Sequence, residues 1–256
     1  MKNKVIATTL GVACHILFLA AISLMAYMLF WGLTRSALPI HWFGRKANII
    51  LLLQFPVLHS FFLSRRGRAV LEAPFPKKIS RDLVSTTFGV VASLQLIAVF
   101  ALWVPSGEIW FTPTGLTLYL WTLAYAASWI LLAIALKEAG LAMQTGFLGW
   151  SAVVTKSKPR YPKPATRGLH SLCRHPIYLS FALVILTAPV WSFDHAALAL
   201  VWVLYCMIGP LFKERRLVKI HGEDYERYRE ATPYIIPNLR GKSTVQQRVT
   251  VQSDPI

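Results

Sequence analysis

The chain has 256 residues, of which 55% are apolar and only 15% charged, against about 25% charged in an ordinary soluble domain. Its mean hydropathy of +0.49 marks a membrane protein and excludes a soluble globular enzyme. Lys and Arg number 27 against 11 Asp and Glu, yet the basic residues lie between apolar runs rather than on one compact face. No zinc-finger or RNA-binding signature accompanies them, so nucleic-acid binding is excluded in favour of charge sidedness across a membrane.

Six apolar segments follow in chain order. The first, about 5–32, is preceded by Lys2 and Lys4 and lacks a small-residue cleavage site, so it reads as a retained helix rather than a signal peptide. The next three cover about 47–64, 83–105 and 114–136. The last two, about 176–192 and 195–212, are separated only by Ser192-Phe193-Asp194-His195 and predict a helical hairpin, each arm slightly shorter than the ~20 residues of a full span. The expected fold class is therefore all-α, a polytopic membrane helical bundle of about six spans. A cytoplasmic amphipathic helix follows the C-terminal hairpin.

Four regions are expected: a four-span membrane region over 1–136, a cytoplasmic Pro-rich loop over 137–175, the hairpin with a ligand-binding helix over 176–240, and a disordered tail over 241–256. With the N-terminus inside, Lys and Arg number 2, 6, 7 and 9 in the four cytoplasmic segments, 24 in all. Only Arg35, Arg45 and Lys46 remain on the opposite side. The positive-inside rule then predicts both termini in the cytoplasm. Trp42, Trp110 and Trp191 fall near span ends, as interfacial aromatics do.

Three cysteines, Cys14, Cys173 and Cys206, have no metal-like spacing and suggest no disulfide framework. Cys14 and Cys206 read as buried thiols inside apolar runs, and Cys173 adjoins a polar motif. Within the N-terminal spans, His15, Gln54 and His59 are polar groups in an apolar setting, serving either helix-to-helix hydrogen bonding or function. His59 lies nearest the cytoplasmic end, before Arg65 and Arg66.

The chemistry-bearing residues concentrate in two segments that the hairpin brings to one end. The first is Arg174-His175-Pro176-Ile177-Tyr178. Pro176 suits the first position of a helix, where its missing N–H is no loss, and the free N–H groups of that turn favour an anion. Arg174 and His175 could together hold a carboxylate, with Tyr178 one turn inside. The second segment is Lys213-Glu214-Arg215-Arg216, followed by His221-Gly222-Glu223-Asp224-Tyr225-Glu226-Arg227-Tyr228 and closed by Pro233 and Pro237. Glu214 is costly so near a membrane unless paired, and Arg174, Arg215 and Arg216 are candidate partners. Leu217, Ile220, Tyr225 and Tyr228 recur at helical spacing, with a break expected near Gly222. No Gly-rich phosphate loop, metal-binding His-Glu-x-x-His or nucleophile-elbow motif is present.

Arg-His-Pro-x-Tyr, an apolar hairpin, then Glu-Arg and His-Gly-Glu-Asp-Tyr with a following Tyr and Pro resemble the C-terminal half of the integral-membrane methyltransferases. That superfamily includes isoprenylcysteine carboxyl methyltransferase, phospholipid N-methyltransferases and bacterial methanethiol S-methyltransferase. The resemblance covers about 167–237. A second, N-terminal likeness runs through Leu58-His59-Ser60 and Arg65, similar to the methanethiol enzymes and to a denitrification-linked membrane family. Leu58 and Lys213 stand where those patterns carry Gln and the first Glu of an acidic pair.

The resemblance implies S-adenosylmethionine as methyl donor, bound on the cytoplasmic side of a bacterial inner membrane. It implies that His175, Pro176, Tyr178, Glu214, Tyr225, Tyr228 and Pro237 bind this cofactor, with Arg174 and His59 as catalytic residues. The acceptor it implies is a small or apolar thiol such as methanethiol. The alternatives are a phospholipid amine or other lipophilic acceptor, or a non-catalytic membrane accessory protein. No metal is expected.

Overall fold

A computed structural model describes residues 1–38 and 44–237; Trp42 and the 241–256 tail lie outside the described residues. Among the described residues, eleven helices and two short strands run in the order α1 (Lys2–Phe30), α2 (Ala47–Phe62), α3 (Arg65–Glu72), α4 (Ser80–Ala101), β1 (Ile109–Phe111), α5 (Gly115–Glu138), α6 (Leu141–Gln144), α7 (Phe147–Thr155), α8 (Leu169–Leu172), α9 (Pro176–Leu186), β2 (Trp191–Ser192), α10 (Phe193–His221) and α11 (Glu223–Ala231). Four of these, α1, α4, α5 and α10, are long and apolar enough to cross a membrane. The bent pair α2 and α3 makes a fifth if counted as one span. The chain is thus an integral membrane protein built mostly of helices.

The bundle is held by apolar side chains of distant helices. Trp202 of α10 is fully buried against Phe55, Phe100 and Phe181. Its indole N–H donates to the Leu52 carbonyl of α2 at 3.1 Å, so one residue supplies both bulk and a cross-helix bond. Gln54 of α2 and Gln95 of α4 exchange amide bonds at 3.0 and 3.4 Å. His15 donates to the Gly11 carbonyl of its own helix at 2.7 Å and meets Phe147 and Trp150 edge-on. Gln54 and Gln95 thus join two helices, while His15 bonds the backbone of its own, as polar groups in apolar surroundings commonly do.

Three expectations are corrected. The fifth apolar segment is helical only over Pro176–Leu186, 11 residues, too short to span by itself. Pro189 lies just beyond, and the residue before a proline is disfavoured in helical conformation. The chain continues through Thr187–Val190 into β2, after which α10 packs back on α9. Its backbone stays satisfied inside protein: Thr187 N–H donates to Leu183 at 2.8 Å, Val190 N–H to Phe30 at 3.3 Å, and the Ser192 hydroxyl to Gly32. Second, β2 pairs antiparallel with β1, adding a small two-stranded ribbon to an otherwise helical fold. Third, the 137–175 segment carries three short helices. Of these, α7 packs on α1 and α4. Thr86 secures that packing by donating to the Gly146 carbonyl at 2.7 Å and accepting from Trp150 N–H at 3.0 Å. A side chain at Gly149 would strike the Asp82 carbonyl, so the close approach requires glycine.

The two ends of the bundle differ. One gathers α3, α8, α11 and the C-terminal end of α10, with their basic residues. The other gathers the β ribbon, Asp194, Asn48 and Ser106, where Asn48 bonds Val104 through both its amide groups. α2 turns into α3 by 88° at Leu63–Ser64, and Ser64 caps α3 by accepting from Gly67 N–H at 3.1 Å.

Candidate functional site

Glu214 organises the basic end. It sits on α10, 7% exposed. Its Oε1 accepts from Arg174 Nε at 2.6 Å and from His175 Nε2 at 2.8 Å. Of the three arginines expected as partners, only Arg174 takes that role. Arg216 donates instead to the Leu63 carbonyl at 3.2 Å, and Arg215 lies over the Phe212 ring.

Arg174 is locked from several directions. Its backbone N–H donates to the Pro233 carbonyl at 2.8 Å, and its guanidinium donates to the carbonyls of Arg229 and of Thr232, the latter at 2.7 Å. Those carbonyls belong to the end of α11 and the turn beyond it, freed where the helix stops. α11 exists as a separate helix because Gly222 breaks α10 with φ +55°, a conformation glycine adopts at little cost. The expected break near Gly222 and the folding of the C-terminal segment onto the Arg174 motif are thus one feature.

Burial holds the His175 imidazole near pKa 4, well below its usual range, with Lys213 and Arg174 pushing the same way and Glu214 opposing. The ring is therefore neutral. A carboxylate can only accept, so Nε2 carries the proton and Nδ1 is a bare acceptor. That Nδ1 is buried and has no hydrogen-bond partner. Pro176 occupies the first helical position of α9, as its chemistry favours.

A shell of tyrosines surrounds the cluster. Tyr178 meets His175 edge-on at 5.9 Å, and Tyr225, 4% exposed, packs against Tyr228 at 5.7 Å. Burial pushes the Tyr225 phenol up to about 12, with Glu214 adding to the shift. The Tyr228 hydroxyl donates to the His170 carbonyl at 2.6 Å. His170 in turn contacts Glu138 at 3.3 Å, and Leu169 N–H donates to the same carboxylate at 2.9 Å. Glu138 thereby ties the end of α5 to the segment that leads into Arg174.

Arg174, His175, Pro176, Tyr178, Glu214, Tyr225 and Tyr228 thus come together. Pro237 ends the described chain, half-buried. His59 stands apart: its ring packs between Phe55 and Phe88, at 4.9 and 4.8 Å, and its Nδ1 is buried without a partner. Cys173 is buried, and burial raises its thiol pKa, which makes it a poor nucleophile. Tyr234 was not singled out from the sequence. Its ring faces His175 at 5.1 Å and the Arg174 guanidinium at 5.4 Å, while its hydroxyl donates to the Met207 carbonyl at 2.7 Å. Its position between Pro233 and Pro237 was the available signal. Glu138 and His170 carried none, because neither lies in a motif. An open cavity bounded by Leu148, Ser151, Lys158 and Arg160 lies against α7, apart from the cluster.

The family described as Protein of unknown function (DUF1295) matches residues 73–232. A protein named Methanethiol S-methyltransferase from Crocosphaera subtropica is 28% identical over 77% of this chain and 76% of its own length. Methanethiol S-methyltransferase 1 of Bradyrhizobium diazoefficiens is 27% identical over 74% of this chain and 66% of its own. The Methanethiol S-methyltransferase of Pseudomonas deceptionensis is 25% identical over 75% and 72%. No solved structure matches the chain. The matched segment takes in Glu138, the Arg174 motif, Glu214 and all of α11, and the chain belongs to the DUF1295 family, within the membrane methyltransferase-like superfamily that its paired motifs resemble.

Proposed function

We propose that this protein is an S-adenosylmethionine-dependent methyltransferase of the bacterial inner membrane that S-methylates a small or apolar thiol such as methanethiol. The observation that carries the reading is the Glu214 hub. One buried carboxylate oxygen joins Arg174 and His175, beneath tyrosines brought by a helix folded back over it. All three relatives described above carry the name methanethiol S-methyltransferase.

The residues fit such a donor. It carries an amino-acid carboxylate and ammonium, a sulfonium, a ribose and a base. Arg174, with Nε and Nη1 committed to Glu214 and to the Arg229 and Thr232 carbonyls, offers its remaining Nη2 donors for the carboxylate, Glu214 an acceptor for the ammonium or ribose hydroxyls, and the orphan His175 Nδ1 a further acceptor. The faces of Tyr178, Tyr225, Tyr228 and Tyr234 suit a base or a cation. Pro176 shapes the floor, and Pro237 closes the adenosine side. When bound, the donor supplies an already activated methyl group. The chain then has to align the acceptor, exclude water and hold charge, without metal or covalent nucleophile. Arg174 also lies where it can orient the acceptor, whereas His59, held between Phe55 and Phe88, touches none of these groups.

The reading places both termini in the cytoplasm. The six passages are α1, α2, α4, α5, α9 with its extended continuation to Ser192, and α10. The apolar acceptor enters between helices and the polar donor from the basic end.

A methyl-transfer assay on detergent-purified protein tests this. Labelled S-adenosylmethionine is offered with methanethiol, larger thiols, phosphatidylethanolamine and a prenylcysteine analogue. Label in a volatile sulfide is expected. Label in the lipid fraction would move the protein to a phospholipid acceptor. Donor binding without transfer to any acceptor would favour an accessory role.

A further inference from the structure

The stretch from Lys156 to Lys163 carries four cations in eight residues and no acid. Composition alone would make it a solvated linker, yet its backbone is anchored at both ends. At the near end, Lys156 closes α7 in the left-handed conformation, φ +58°. Its N–H donates to the Val153 carbonyl at 3.3 Å, and the Ser157 N–H donates to the Ala152 carbonyl at 2.9 Å. This pair of bonds reverses the chain at a helix end, a position where glycine is usual and lysine is strained. The Ser157 and Thr155 hydroxyls share a bond at 2.9 Å. At the far end, Pro162 rests on Gly140 just past α5, where an added methyl would stand 2.8 Å from the proline ring. Pro159 and Pro162 stiffen the chain between these anchors.

The reversal opens a cleft of about 540 Å³ between α7 and the returning chain. That volume falls within the roughly 300–1,000 Å³ of small-molecule sites. One wall is Leu148, Ser151 and Ala152, a single face of α7 by their spacing. The other is the returning chain, with Lys158 and Arg160. No carboxylate lines the cleft, and among the described residues neither cation makes an ion pair or a side-chain hydrogen bond. On the opposite side of α7, Val153 packs with Ala7 and Leu83, in the first two turns of the spans α1 and α4. The cleft therefore sits where two spans begin, at the boundary of hydrocarbon and headgroups. Phe147, 44% exposed, continues its apolar wall toward the lipid.

We infer that this cleft seats the headgroup of one anionic phospholipid, with its phosphate at Lys158 and Arg160 and its acyl chains passing Phe147 into the bilayer. Two cations without a counter-ion complement a net negative headgroup, and a guanidinium matches the geometry of phosphate oxygens. A zwitterionic headgroup brings no net charge to them. The anchored, proline-stiffened wall is formed before the lipid arrives, which lowers the cost of ordering it. Such a seat is separate from the Glu214 cluster and independent of the methyltransferase reading.

Native mass spectrometry of the full chain in detergent, titrated with phosphatidylglycerol or phosphatidylcholine of matched acyl chains, counts the lipids retained. Wild type is expected to retain one phosphatidylglycerol in preference to phosphatidylcholine. Lys158→Gln combined with Arg160→Gln should weaken that binding about 30-fold. Ser151→Trp, which fills the cleft without altering charge, should weaken it as well. Lys158→Arg combined with Arg160→Lys should leave it unchanged. So should Lys77→Gln combined with Lys78→Gln, which removes the same charge elsewhere. An equal loss in the Lys77 and Lys78 variant would reduce the effect to net charge and overturn the inference. Phosphatidylcholine bound as tightly as phosphatidylglycerol, or full binding by the Lys158→Gln and Arg160→Gln variant, would overturn it too. Displacement of the lipid by inorganic phosphate would assign the cleft to a soluble anion instead.

Discussion

Helix α10 carries a buried carboxylate near each end, Asp194 and Glu214, 5% and 7% exposed. They are 20 residues apart, about 30 Å along the helix, which is the thickness of a bilayer hydrocarbon core. Asp194 has only neutral partners. Its Oδ2 accepts from Ser106 N–H at 2.7 Å and from the Ser106 hydroxyl at 2.6 Å. It also lies in the first turn of the helix, where the dipole favours negative charge. Glu214 lies toward the opposite end of the helix and is held by an arginine and a neutral histidine that leaves one nitrogen unused. Burial alone does not separate a structural carboxylate from a functional one. Neutral, saturated partners mark the first kind, and ionic partners with spare bonding capacity mark the second.

Glu214→Ala should show the largest effect. It strands Arg174, whose side chain is 12% exposed, and breaking one partner out of a buried pair costs about 3–5 kcal/mol. A lower unfolding temperature and no measurable S-adenosylmethionine binding in calorimetry are expected. Glu214→Gln should regain part of the stability and none of the binding. Retained binding in both variants would place Glu214 with Asp194 as a structural group.

The pH response sharpens the comparison next. His175 binds its proton more weakly in the folded chain, near pKa 4, than in the unfolded chain, where about 6.5 is usual. Its neutral form therefore contributes stability that is complete above about pH 6.5 and lost as pH falls toward 4. Unfolding temperature measured across that window should fall for wild type and fall less for His175→Gln, with Asp194→Asn following wild type.

Asp194→Ala leaves two Ser106 donors without their acceptor, an expected loss of about 1–3 kcal/mol in chemical unfolding. Its affinity for S-adenosylmethionine should be unchanged; weakened affinity would show that the two ends are coupled. Tyr228→Phe should give the smallest effect. It removes the bond to the His170 carbonyl, worth about 1 kcal/mol, and should weaken S-adenosylmethionine binding roughly fivefold by loosening α11.

Much of the fold was legible in sequence because a lipid-facing helix needs an unbroken apolar run, which hydropathy reports directly. Pro176 at the head of α9 and the break at Gly222 were legible for a similar reason: proline and glycine restrict or free the backbone locally. The stop of α9 at Leu186 has its signal in Pro189, which sits inside a run that hydropathy alone marks as continuous. Helix α7 was hidden behind the Pro-rich stretch that follows it.

By itself the sequence determined a helical membrane protein with its basic residues gathered at one end, and it named most of the residues that meet there. Which partner each residue takes was decided by tertiary structure. Arg174 pairs with Glu214 across 40 positions while Arg215 and Arg216, beside Glu214 in the chain, turn elsewhere. Tyr234 enters the cluster, and His59 stays out of it. Composition and periodicity are set residue by residue along the chain. Pairing depends on how helices rotate and pack to bury their apolar faces, so it appears only when the whole bundle has assembled.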